Sequence, residues 1–205
     1  HDIEIARQIQ TSFLPKEMPA VEGWEIGSRF YPAREVAGDW YDAFFLASKR
    51  RVGFVVADVC DKGVGSAMFM AVCRSLVRSF GQQNYSLRWM DNLPDNKPGD
   101  GSKSTRLDAL IASPDQRRRS FSAGTTALKT AIEMVNNYVQ ENHNESNMFA
   151  TLFYGVIDPS TGSLSYVNGG HNPPILLDRF GNVKERLKPT GPAVGIFPGV
   201  EYGIA

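Results

Sequence analysis

Arg51-Val52-Gly53-Phe54-Val55-Val56-Ala57-Asp58-Val59-Cys60-Asp61-Lys62-Gly63-Val64-Gly65 is the stretch that decides how this chain folds. Its first seven residues are nearly all apolar, as expected of a strand buried on both faces. The strand ends on a carboxylate, Asp58, which opens a glycine-rich turn. A carboxylate placed there suits the handling of a metal ion or a phosphate. A second such place, Ala37-Gly38-Asp39-Trp40-Tyr41-Asp42, lies nineteen residues earlier. Two acidic strand-end motifs this close in sequence suggest one shared site.

Working outward, residues 41–46 form a strand joined to 51–58 by a polar turn, Ser48-Lys49-Arg50, of hairpin length. Residues 24–31 alternate apolar and polar and predict another strand. Val64, Ala67, Met68, Ala71, Val72 and Leu76 recur at helical spacing, so 64–80 is a helix with most of its surface buried. Met68, Met70 and Cys73 read as core there. Residues 125–141 form a second helix, with Leu128, Ala131, Ile132, Val135 and Tyr138 as its stripe. Strands are expected at 148–157, 163–168, 174–178 and 183–187. Between the helices, 81–122 reads as a mostly mobile insertion with a helical turn near 107–111. Its Arg117-Arg118-Arg119 run reads as a solvated face. Many antiparallel strands with two or three long helices, and no regular βα alternation, give an α+β fold with helices packed on antiparallel sheets.

The chain has 205 residues, enough for one ordinary domain with its own core. It carries 22 Lys+Arg and 22 Asp+Glu, and this balance argues against a general nucleic-acid or membrane-surface binder. Two cysteines, Cys60 and Cys73, exclude a disulfide scaffold or zinc ribbon and favour a reducing, cytoplasmic setting. No apolar run is long enough to span a membrane. The chain opens at His1 without an initiator Met, which reads as a piece cut from a longer protein. Residues 2–14 form a short helix closed by Leu14-Pro15. Ile5, Ile9 and Phe13 form its stripe, either covering the domain's own core or ending a signalling or dimerising helix from an upstream domain.

Asp39 and Asp58 each follow a small residue, so the backbone there can lie close to a ligand. Mg²⁺ and Mn²⁺ take carboxylate, carbonyl and water oxygens. Asp58 with the Val59 backbone carbonyl offers half of such a cage, although a strand-end Asp also often only caps a turn. His171, in Asn168-Gly169-Gly170-His171-Asn172-Pro173-Pro174, reads as a base, a ligand or a structural donor, and the tight turn favours the last. Gly63-Val64-Gly65-Ser66 completes neither a Walker motif nor a dinucleotide fingerprint.

These pieces resemble the SpoIIE/RsbU-type branch of the metal-dependent protein serine/threonine phosphatases, the PPM family. The resemblance rests on Ile9-Gln10 through Leu14-Pro15, Val36 to Asp42, Ala57 to Val64, Phe149 to Gly155, Asn168 to Pro174, and Gly191-Pro192-Ala193-Val194-Gly195, in the family's order. It implies two antiparallel sheets packed face to face and flanked by helices on both sides. The domain would occupy residues 16–205, after a linker or signalling helix at 1–15. It also implies a binuclear Mn²⁺ or Mg²⁺ centre. Asp58 would bridge the metals, the Val59 carbonyl would bind one, and Asp39 would hold a metal or its water. Arg34 would meet the substrate phosphate. Metal-activated water would then hydrolyse phosphoserine or phosphothreonine on a bacterial regulatory protein of the anti-sigma-factor antagonist type. An upstream sensor or receiver domain would act through the N-terminal helix, which also suits a homodimer. The family's late Asp-Gly pair is not among these residues, so the second metal site is expected to be incomplete and the catalytic domain C-terminally truncated. A non-catalytic phosphatase-fold signalling module is the competing reading.

Overall fold

A computed structural model describes residues 2–32, 35–90 and 114–205. Helix α1 spans Asp2–Phe13, and β1 (Trp40–Leu46) and β2 (Arg51–Val59) form a hairpin. Two long helices follow, α2 (Val64–Met90) and α3 (Pro114–His143). A single 3₁₀ turn, Asn144–Ser146, leads into a second hairpin of β3 (Ala150–Asp158) and β4 (Ser163–Gly169). Finally β5 (Ile175–Leu177) pairs with β6 (Val183–Arg186).

The larger sheet is antiparallel throughout, in the order β1-β2-β3-β4, and β5-β6 is a separate two-stranded sheet. Strand alternation sorts side chains between the two faces of the larger sheet. Val55, Ala57 and Val59 of β2, with Leu152, Tyr154 and Val156 of β3, point toward α2 and α3. There they join Met70, Cys73 and Val77 of α2 and Leu128, Ile132 and Val135 of α3 in the main core. Phe54 of β2 and Phe153 of β3 belong to the opposite face, where Tyr166 and Leu187 complete a second cluster. Leu187 directly follows β6, whose own residues, like those of β5, are exposed. The α+β class, with antiparallel sheets and long helices, is therefore present. Among the described residues α2 and α3 cover one face of the larger sheet.

The β1–β2 hairpin, both long helices and the β3–β4 hairpin fall where the residue pattern puts them. Residues 24–31 do not form a strand; the β-bridge nearby joins Val21 to Trp24. The Trp24 indole instead donates to the Pro159 carbonyl at 3.1 Å, and Tyr31 is exposed. Alternation there answers to no partner strand. Helix α2 runs on through 81–90, and α3 begins at Pro114, a residue suited to a first helical position. Both flanks of the expected insertion are thus helical. Its centre, including the turn expected at 107–111, lies outside the described residues.

Helix α1 docks by a polar residue. The Gln10 side-chain amide donates to the Ala37 carbonyl, and its oxygen accepts from the Ala37 N–H at 3.0 Å. Gln10 and Leu14 are buried, whereas Ile5 and Ile9 are 42% and 53% exposed. The apolar stripe of α1 therefore does not cover this domain's core at Ile5 and Ile9.

Candidate functional site

The hairpin register builds the site. Trp40 pairs with Ala57, so the next step outward sets Asp39 against Asp58. Asp58 in turn pairs with Thr151 across β2 and β3. Cross-strand neighbours share a face, so Asp39, Asp58 and Thr151 form a row at one end of the sheet, on the face away from α2 and α3. His171 extends the row: its Nδ1 lies 2.8 Å from Thr151 Oγ1.

Asp39 and Asp58 share a side-chain hydrogen bond, and the Asp39 carboxyl is pushed up to about 6. Partial desolvation is the largest cause, followed by the hydrogen bond to Asp58 and the charge of Asp58, while Lys62 pulls the other way. Asp39 keeps contact with solvent, so the desolvation is incomplete. Two facing carboxylates at a strand end hold a proton between them, or a cation in its place.

Gly38 is needed for this closeness. A Cβ there would fall 2.8 Å from the Val59 carbonyl oxygen and 2.5 Å from Ser66 Oγ. The Val59 carbonyl thus faces the Gly38-Asp39 turn. The following turn is held in shape by Asp61 and Gly63, both in the left-handed region at φ +69° and +96°. Ser66 Oγ lies 3.2 Å from the Cys60 and Asp61 carbonyl oxygens, and the Lys62 N–H donates to Asp61 Oδ1 at 2.8 Å. Asp42, from the same acidic motif as Asp39, turns into the core. Its carboxylate meets Arg78 at 2.8 and 3.0 Å and Arg74 at 3.0 Å, tying β1 to α2. Burial is the larger influence on the Asp42 carboxyl and pushes it up, with the two arginines opposing.

The structure brings Asp39, Asp58 and the Val59 carbonyl together, as the motifs suggest. Arg34 lies outside the described residues. The His171 N–H donates to Asn168 Oδ1 at 2.8 Å, which is the local turn role expected of it. Its ring does more, reaching Thr151 beside Asp58. Burial lowers the His171 pKa below 6.5, and Asp58 works in the opposite direction. No local motif marks Thr151 or Ser66 as site residues; the strand register and the α2 turn reveal them. Among the described residues no group of three or more His, Cys, Asp or Glu side chains is arranged to hold a metal ion.

A family profile described as Stage II sporulation protein E (SpoIIE) matches residues 48–205. The chain is 40% identical over 207 residues to Protein IcfG of Synechocystis sp., covering 99% of this chain and 29% of that protein. It is 25% identical over 201 residues to Phosphoserine phosphatase RsbU of Bacillus subtilis, covering 98% of this chain and 47% of that protein. The chain spans less than half the length of these curated relatives. Its fold matches the SiaA-PP2C domain of Pseudomonas aeruginosa with a TM-score of 0.55 at 14% identity, over 100% of this chain and 64% of that one. It matches the structure of the PP2C phosphatase domain of SpoIIE from Bacillus subtilis with a TM-score of 0.50 at 15% identity, over 83% of this chain and 36% of that one. At such identities the likeness concerns the fold alone. With the profile covering more than half of its residues, the chain belongs to the SpoIIE family, in the SpoIIE/RsbU-type branch of the PPM (PP2C-like) phosphatases.

Proposed function

We propose that this chain is a divalent-metal-dependent phosphatase domain that hydrolyses phosphoserine or phosphothreonine on a regulatory protein. The pairing of Asp39 with Asp58 beside the Val59 carbonyl is the observation that carries this reading. The donor set is all hard oxygen, which suits Mg²⁺ or Mn²⁺. Burial is the main influence that raises the Asp39 carboxyl, and a cation would offset the smaller contribution from the Asp58 charge. Asp58, Asp39 and the Val59 carbonyl would hold the cations, Asp58 as the shared ligand of a binuclear centre and Asp39 directly or through water. Such cations, when bound, neutralise phosphoryl charge and acidify water.

The chain's own residues do the positioning. Gly38 admits the Val59 carbonyl, Ser66 holds the turn behind it, and Asn136 and Gln140 of α3 anchor the Gly195 backbone. Arg34 is proposed as a phosphate contact. The Bacillus subtilis relative, Phosphoserine phosphatase RsbU, supports the substrate class. The exposed Ile3, Ile5 and Ile9 of α1 support input from an upstream sensor domain, or pairing with a second copy, through residues 1–15. The catalytic unit would then be residues 16–205, acting in the cytoplasm on a protein of the anti-sigma-factor antagonist type. No helix among the described residues is long and apolar enough to cross a membrane.

The test is Mn²⁺-dependent hydrolysis of p-nitrophenyl phosphate. Asp58→Ala is expected to lower turnover on the order of a thousandfold, since each lost metal function is worth several kcal/mol. Turnover unchanged by that substitution would refute the assignment. A non-catalytic signalling module is the second reading. It is favoured by one observation: among the described residues no three His, Cys, Asp or Glu side chains are grouped so as to hold a metal ion. Metal and phosphate binding without turnover would support it.

A further inference from the structure

The imidazole of His171 has no task in the turn that carries it. The turn's backbone is satisfied by Asn168, a fully buried side chain. Its Oδ1 accepts from the His171 N–H at 2.8 Å, and its Nδ2 donates to the Leu187 carbonyl at 3.0 Å. Gly170, at φ +67°, reverses the chain, and its Cβ position lies only 3.0 Å from the Ala193 nitrogen. The ring is thus carried on a clamped backbone and is left half-buried beside the acidic pair. Its Nδ1 is engaged by Thr151 Oγ1 at 2.8 Å, and that hydroxyl also lies 3.5 Å from the Asp58 carbonyl oxygen. When the hydroxyl donates to Nδ1, the ring proton sits on Nε2, and the imidazole presents an N–H donor.

We propose that Nε2–H of His171 contacts the phosphoryl oxygens of the substrate, and that Thr151 is the positioning residue that sets the required tautomer. This rests on the phosphatase reading of Asp39 and Asp58, and it deepens that reading. The row geometry supports it. Thr151 and His171 fill the next place after Asp58, a step of about 5 Å between cross-strand neighbours. Phosphoryl oxygens drawn to cations at Asp58 would need a donor there, because the acidic pair itself offers only acceptors. The His171 ring lies next to Asp58 in the row through Thr151, within reach of a group held at the acidic pair. A neutral imidazole suffices, so the contact does not depend on protonating His171.

The experiment uses the full chain with ¹⁵N-labelled histidine, in which three histidines give an assignable spectrum. Mg²⁺ affinity is measured first by calorimetry, then inorganic phosphate affinity in saturating Mg²⁺. The wild-type ring should show the Nε2–H tautomer, and its signals should move as phosphate is added. His171→Gln and Thr151→Val should each weaken phosphate roughly tenfold or more, as for a hydrogen bond to a charged group. Thr151→Ser should stay within about twofold of wild type, since it keeps the hydroxyl. Mg²⁺ affinity should be unchanged in all three, a result that mere loosening of the fold would not give. An Nδ1–H tautomer in the wild type, His171 signals indifferent to phosphate, or wild-type phosphate affinity in His171→Gln would overturn the contact while leaving the metal reading intact. A wild-type chain that binds no Mg²⁺ would overturn both, and the first titration identifies that case. The tautomer measurement needs no variant, so it decides the matter even if a substituted chain fails to fold.

Discussion

Gly38→Ala is expected to damage stability and cation binding together. An ideal Cβ on Gly38 lies 2.5 Å from Ser66 Oγ, 2.8 Å from the Val59 carbonyl oxygen and 3.1 Å from Val59 Cβ. The Ser66 hydroxyl can rotate away only by leaving the Cys60 and Asp61 carbonyls, a loss of about 1 kcal/mol. The Val59 oxygen belongs to the backbone of β2 and moves only with the strand. Overpacking of this kind costs about 1–3 kcal/mol. At roughly 2–4 °C per kcal/mol for a chain of this size, Tm should fall by roughly 2–12 °C. Because the displaced group is a proposed metal donor, the Mn²⁺ concentration for half-maximal p-nitrophenyl phosphate hydrolysis should rise roughly tenfold or more, as when a ligand's support is lost. Adding Ser66→Ala removes the shorter contact and keeps the carbonyl one. The double variant should therefore recover part of the Tm and none of the Mn²⁺ affinity. A Gly38→Ala protein that melts with the wild type and keeps its Mn²⁺ midpoint would show that the closeness of Gly38 to Val59 has no bearing on the site.

Three other outcomes follow from the packing. Asp42→Ala leaves the Arg74 and Arg78 guanidinium groups without their carboxylate, and thermal or urea unfolding should show a loss of about 3 kcal/mol, the low end for a broken buried pair because Arg78 is partly solvated. Burial pushes the Cys73 thiol up to about 12 from its ordinary 9.0. Above about pH 9 the unfolded chain releases that proton while the native chain keeps it, so native stability falls as pH rises, by at most about 1.4 kcal/mol per pH unit. Urea midpoints compared between pH 9 and pH 11 should therefore fall more steeply in wild type than in Cys73→Ala. Lys49 sits at φ +70° in the β1–β2 turn. Lys49→Gly should raise stability by a few tenths to about 1 kcal/mol in the same assay, because glycine adopts that conformation without Cβ strain.

Much of the fold was legible because the deciding residues are local. The 51–59 run, its glycine turn and the apolar spacing of α2 each carry their own signal. Asp39 and Asp58 were legible as a pair because one short hairpin separates them. Residues 24–31 misled because alternation records which side chains face inward, not whether a partner strand is present. The stripe on α1 left two readings open, and its exposure at Ile5 and Ile9 speaks against core cover there. Ile5 and Ile9 keep helical spacing, yet the helix is held by Gln10, a polar residue bonding a backbone segment 27 residues away. His171 was legible as a turn residue because its bond to Asn168 is local. Its approach to Thr151, 20 residues distant, depends on the β3–β4 register and on Gly170, and no short motif encodes it.

The β1–β2 hairpin is closed by its turn at Ala47–Arg50, and the acidic pair sits at the other end, where no covalent link joins the strands. That is the end at which a hairpin frays first. Two like charges face to face there oppose closure, so the chemistry sits on the open seam of the hairpin. Whatever positive charge settles between Asp39 and Asp58 acts as a clasp on that seam. Occupancy of the site should be readable from a distance, as slower hydrogen exchange of the amides around Trp40 and Ala57.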